Sequence, residues 1–198
     1  MKKAAIEKAN SRLAKARESV TAIGSATTYP SFQSAWTDFL LAANAIYSIL
    51  ERGAKGNQSS INWFGRAKGT RRKDPLLQYI HHARNADEHG IAPVTELVPG
   101  SVSIKGVGGN AVHIENLVIN DGNFRAEVKP VNGSLPSITL QRPTAKLISV
   151  TDDRFGDTFD PPTHHLGTPI LENSPLAVAE LAIAYLATMM LDAEQLLT

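Results

Sequence analysis

Asp74-Pro75-Leu76-Leu77-Gln78-Tyr79-Ile80-His81-His82-Ala83-Arg84-Asn85-Ala86-Asp87-Glu88-His89-Gly90 is the stretch on which the fold turns. Leu76, Leu77, Ile80, Ala83 and Ala86 recur with the period of one helix face. Asp74 is placed to cap that helix and Pro75 to sit in its first turn, where a missing N–H costs nothing. Gly90 closes it. Beyond Gly90 the apolar period drops to two: Phe124, Ala126 and Val128 alternate with Arg125, Glu127 and Lys129, as in a strand with one wet face. Helix before Gly90 and strand after it make this an α+β chain.

Two more helices are expected upstream. Ile6, Ala9, Leu13, Ala16, Val20 and Ile23 form one stripe from Lys3 to Ile23, closed by Gly24. A second helix opens at Pro30 or Ser31, carries Phe32, Trp36, Phe39, Leu40, Ala43, Tyr47 and Leu50, and ends at Gly53 and Gly56. Residues 56–70 are polar and contain glycine, and read as a loop with Trp63-Phe64 tucked against the bundle.

Downstream, Asn120-Asp121-Gly122 signals a tight turn joining 112–119 to the strand after it. Residues 102–104, 137–140 and 146–150 supply further strands, so one small antiparallel sheet is expected over 95–150, followed by a loop over 151–168. Ser174-Pro175 opens a last helix with two stripes: Leu176, Ala179, Ile183, Leu186 and Met190, and Val178, Leu181, Ala182, Tyr185 and Met189. A helix apolar on two faces is buried on both, at the centre of a bundle or between the bundle and a partner. The expected architecture is a four-helix bundle formed by 1–92 and 172–198. A β-rich antiparallel insertion, 93–171, lies between the third and last long helices.

An apolar content of 42% with 20% charged residues describes an ordinary folded domain and excludes a disordered chain. A net charge of +1 means that any attraction to nucleic acid must come from a local patch. The absence of cysteine excludes disulfides, zinc–thiolate sites and cysteine nucleophiles, and fits a reducing cytoplasm. Met1-Lys2-Lys3 is followed by charged residues rather than an apolar signal region, and the apolar run Leu176–Leu191 is shorter than a bilayer span. A soluble cytoplasmic protein with no membrane partner is the expectation.

Arg84, Asn85 and His89 carry the most chemistry. A guanidinium clamps phosphate through two parallel hydrogen bonds, and an imidazole moves protons near neutral pH. Together they suffice for metal-free cleavage of a phosphodiester by the neighbouring ribose 2′-OH. Arg, a polar residue, three residues and His, on a helix of a helical core, resembles the motif of the HEPN superfamily. The resemblance covers residues 1–92 and 172–198. It implies a metal-independent endoribonuclease without cofactor, of the kind found in toxin–antitoxin and phage-defence systems, with RNA as substrate and an antitoxin or other protein as a further partner. In that role Arg84 holds the scissile phosphate, His89 transfers protons and Asn85 orients them.

Five residues along a regular helix turn two side chains about 140° apart. Arg84 and His89 therefore meet only if the helix ends before His89, or if two copies of the motif share a site across a dimer. The resemblance implies the homodimer, and the second apolar face of 176–191 points to an interface through the motif helix and the last helix. The plain reading of Arg84 is an ion pair with Asp87 or Glu88, and that of His89 is a cation at a helix end. The alternative function is accordingly a catalytically inactive module of the same type that binds a nucleotide, RNA or a protein.

Arg66, Lys68, Arg71, Arg72 and Lys73 form a basic run just before the motif helix. It is a solvated linker or a phosphate-binding patch that guides RNA toward Arg84. No metal site is expected. His81 and His82 lack a carboxylate at matching spacing, His164-His165 cap their loop, and Asp152, Asp153, Asp157 and Asp160 lack the glycine and glutamate of a calcium loop.

Overall fold

The computed structural model describes residues 1–106, 112–120, 123–129, 136–151 and 156–197, without the side chains of His89, Ile119, Asn120, Asn123 and Phe124. The chain divides into two compact units, one of residues 1–96 and 145–198, the other of residues 97–144. With five helices and small antiparallel pairings among the described residues, the fold is α+β.

In the larger unit, α1 (Lys3–Ser25) lays Ile6, Ala9, Leu13, Ala16 and Ile23 into the core. α2 (Tyr29–Ala54) buries Phe32, Trp36, Phe39, Leu40, Ala43, Tyr47 and Leu50. Thr28 and Ser31 close its N-terminus as a reciprocal cap, each side chain accepting from the other's backbone N–H. Gly53 does not end this helix. It lies inside it, where a methyl group would run into Ala5 of α1, so its small size sets how closely the two helices cross. Gly56, at φ +94°, is the residue that turns the chain away.

Most of 56–70, expected as a loop, is helix: α3 (Gln58–Lys73). Its cap is Asn57, whose side chain accepts from Ser60 N at 3.0 Å, and Gln58 bonds Asn62 at 2.9 Å. Only Ser60 and Phe64 are buried, so the stripe that announces a helix is missing. Tertiary contacts replace it: Lys68 pairs with Glu51 at 3.1 Å, and the Arg71 guanidinium lies 4.4 Å from the centre of the Tyr47 ring.

α4 (Pro75–His89) begins at the Asp74 cap, whose carboxylate accepts from Leu77 N at 2.9 Å. The larger unit also holds the short strands β7 (Val150–Thr151), β8 (Thr158–Phe159), β9 (His164–His165) and β10 (Thr168–Pro169), paired β7 with β8 and β9 with β10. Residues 93–96 and 145–171, expected within the insertion, belong to the larger unit. Three attachments account for the difference. Leu147 and Val150 are buried, Tyr79 donates to Ile148 O at 2.8 Å, and the β9–β10 turn is tied to Asp74. That turn carries Leu166 at φ 49° and Gly167 at φ 79°, the left-handed pair of a tight hairpin. Asp74 accepts from Leu166 N at 2.6 Å and lies 3.0 Å from His165 Nδ1. His165 thus clasps the start of α4 instead of capping its own loop.

α5 (Pro175–Glu194) opens with Ser174 accepting from Ala177 N and packs against α1, α2 and α4. Val178, Ala182 and Met189 of one stripe and Ala179, Leu186 and Met190 of the other are buried, so the core of this unit itself takes up much of both apolar faces. At 20 residues, α5 is longer than the run read from the sequence and is long and apolar enough, by length and composition alone, to cross a membrane.

In the smaller unit, β2 (Ser101–Lys105) pairs antiparallel with β5 (Ser137–Gln141), and β3 (His113–Asn120) with β4 (Asn123–Lys129). β1 (Thr95–Val98) and β6 (Thr144–Leu147) straddle the limits of the units. The single sheet expected over 95–150 is instead a set of two-stranded ribbons. β5 is exposed along its length, and a register shift between Glu115 and Val118 kinks β3, so no wide face forms for a third strand to join. Asn116, at φ 52°, supplies the left-handed residue in that kink. Asp121 and Gly122 of the expected turn, like Asp152 and Asp153, lie outside the described residues.

Candidate functional site

α4 remains helical through His89, and Gly90 N still bonds Ala86 O at 2.8 Å. The first way of bringing Arg84 and His89 together is therefore closed. On one regular helix their Cβ directions differ by about 140°, and the His89 imidazole lies outside the described side chains.

Arg84 is 23% exposed and forms an ion pair with Glu88 one turn later. Its Nη1 donates to Asn85 Oδ1 at 3.3 Å, and its buried Nε has no hydrogen-bond partner among the described residues. Asn85 is half-buried beside it. The pair with Glu88 is the plain contact anticipated for this arginine. The buried Nε is closed to solvent, so an incoming acceptor would meet the outer nitrogens of this guanidinium.

Upstream on α4 the histidines are engaged by the fold. His81 Nδ1 lies 3.3 Å from Asn44 Oδ1, its ring meets that of His82 edge-on, and His82 stacks on Phe159 at 3.6 Å. No three His, Asp or Glu side chains gather as a metal site among the described residues.

The basic run 66–73 does not form one patch, because a helix spreads neighbouring residues around its circumference. Arg66 lines a cleft of about 460 Å³ with Trp63, Tyr185 and Asp192. Lys68 is held by Glu51, and Arg71 is half-buried over Tyr47, where burial works against its charge. Arg72 and Lys73 stand exposed at the C-terminal end of α3, which favours cations.

A different set of cations gathers around Arg84. Lys8 and Arg12 of α1 and Arg52 of α2 line, with Arg84, a groove of about 270 Å³. Asn44, Ser48, Leu41, Ala45 and Ile49 of α2 complete it, and no carboxylate is part of the lining. Reading the sequence did not single out Lys8, Arg12 or Arg52. The visible signal was the one-turn spacing of Lys8 and Arg12 on the polar side of α1; that they share a wall with residues 52 and 84 is a property of the fold.

Against protein-family models, curated proteins and solved structures the chain shows no match.

Proposed function

We propose that this protein is a metal-independent endoribonuclease of the HEPN type, a helical bundle that works as a homodimer in the cytoplasm as a toxin or defence effector. Arg84 binds the scissile phosphate, the ribose 2′-oxygen attacks the phosphorus, and the bond to the 5′-oxygen breaks. His89 takes the proton from the 2′-OH, a proton passes to the departing 5′-oxygen, and a 2′,3′-cyclic phosphate remains. Asn85 orients these groups, and an antitoxin or other protein partner restrains the activity. The observation that carries the reading is the setting of Arg84: a half-buried guanidinium on the wall of a groove that three further cations line. The unbroken helix through His89 supports the dimer, since a second copy is then needed to bring an imidazole to the phosphate held by the first.

The Arg84–Glu88 pair favours a second reading, a bundle without catalysis that binds a nucleotide, RNA or a protein. Purified protein incubated with total RNA, beside His89→Ala, separates the two. The nuclease reading expects cuts that persist in EDTA, end in a cyclic phosphate and vanish in the variant. Activity surviving His89→Ala, or abolished by EDTA, rules the mechanism out.

A further inference from the structure

We propose that the groove between α1 and α2 is a track for the phosphodiester backbone of a single nucleic-acid strand, with Lys8, Arg12 and Arg52 as its phosphate contacts and Arg84 at its wall. Elsewhere on the larger unit four exposed lysines stand beside carboxylates: Lys3 with Glu7, Lys15 with Asp38, Lys68 with Glu51 and Lys146 with Glu96. Lys2, Lys55 and Lys73 stand exposed without an ion pair among the described residues. Lys8, Arg12 and Arg52 form no ion pair among the described residues, and all three are exposed. In a chain of net charge +1, three cations without an ion pair around one concavity, beside Arg84 in its pair with Glu88, are a local excess of positive potential.

The shape suits a strand better than a compact anion. Lys8 and Arg12 are one turn apart on α1, and Asn44, Ser48 and Arg52 follow one another at the same step along α2. Four residues rise about 6 Å, of the order of the separation between neighbouring phosphates in an extended strand. The two helices thus present successive donors along the groove's length. Leu41, Ala45 and Ile49, at the same step beside them, add an apolar strip. Three of the four cations are arginines, whose planar fork matches phosphate oxygens in pairs. Among the lining residues are the amide and hydroxyl of Asn44 and Ser48. Such contacts hold the backbone and carry no sequence preference.

The inference rests on the ribonuclease reading only for the strand's arrival at Arg84; binding itself needs no cleavage. The test therefore uses strands that a 2′-OH mechanism cannot cut, a fluorescent 2′-O-methyl-oligouridine and an oligothymidine of equal length. Affinity is measured over a series of NaCl concentrations. Each single-strand phosphate contact contributes about 0.7 to the slope of log K against log salt. K8A/R12A is expected to lower that slope by about 1.4 and weaken binding more than tenfold at low salt. K8R/R12K, which keeps the charge, retains the slope, and R66A/R72A on α3 stays within twofold of wild type. Circular dichroism checks that each variant folds.

Wild-type binding by K8A/R12A, or loss in R66A/R72A instead, overturns the track. So does polyglutamate binding in the groove while neither strand binds, which would make the partner an acidic protein segment. Preference for one strand over the other tells RNA from DNA as the source of the same backbone. Groove-dependent binding with no RNA cleavage under any condition keeps the track and removes the ribonuclease, whereas cleavage with indifferent groove variants does the reverse.

Discussion

Two sets of cations can be compared on this molecule. Arg66, Lys68, Arg71, Arg72 and Lys73 fall within eight residues of the chain and are spread around one helix; Lys8, Arg12, Arg52 and Arg84 are scattered in the chain and line one groove. In the first set Lys68 pairs with Glu51 and Arg71 seats on Tyr47, while Arg66, Arg72 and Lys73 stand exposed. The second, Arg84 apart, has no ion partner among the described residues. Charge density along a sequence thus measures local potential poorly once the segment is helical, because consecutive side chains point in all directions around the axis.

The comparison predicts a double dissociation: changes beside α3 cost stability and spare nucleic acid, while changes around Arg84 do the opposite. The largest effect is expected in catalysis. Arg84→Ala or His89→Ala should lower RNA cleavage by about 10²–10⁴-fold, while a urea melt shifts little, since the Arg84–Glu88 pair is a helix-surface pair of about 0.3–0.5 kcal/mol.

Asp74→Ala, at the junction of α3 and α4, should show the reverse. It removes the cap of α4 and strands the Leu166 N–H and the His165 ring, for a loss of about 2–4 kcal/mol in urea denaturation. A loss below 1 kcal/mol would mean that the 145–171 segment is not anchored there. Arg71→Ala should cost about 1 kcal/mol through its contact with the Tyr47 ring. Oligonucleotide affinity should stay within twofold, and a larger drop would restore this arginine to the phosphate-binding set.

The smallest effect appears only in alkali. Burial pushes the phenols of Tyr47 and Tyr79 well above their ordinary value, and for Tyr47 the neighbouring Tyr185 adds to the rise. A phenol raised in the folded state keeps its proton there after the unfolded chain has lost it. Its contribution is complete below the unfolded value of about 10 and is lost as pH climbs above it. Stability should be flat in this respect at neutral pH and fall beyond about pH 10, less steeply in Tyr47→Phe. An unchanged alkaline slope in that variant would place the titration elsewhere.

Periodicity and capping residues were sufficient to read α1, α2, α4 and α5, because a stripe repeating every three to four residues states which face each helix buries. Pairing of β3 with β4 followed in the same way from alternation. Arg84, Asn85 and His89 were legible as a chemical set because they lie within six consecutive residues. α3 was not. Its glycines and weak stripe resemble a loop, and its helical state rests on Asn57 and on contacts to α2. Nor could the sequence show that Asp74 and His165 meet, or that residues 8, 12, 52 and 84 border one groove. A pattern along the chain records the preference of each segment for water or for a core. Which polar faces come to share a wall is decided by how the helices cross, and at Gly53 that crossing depends on the one side chain small enough to let Ala5 pass.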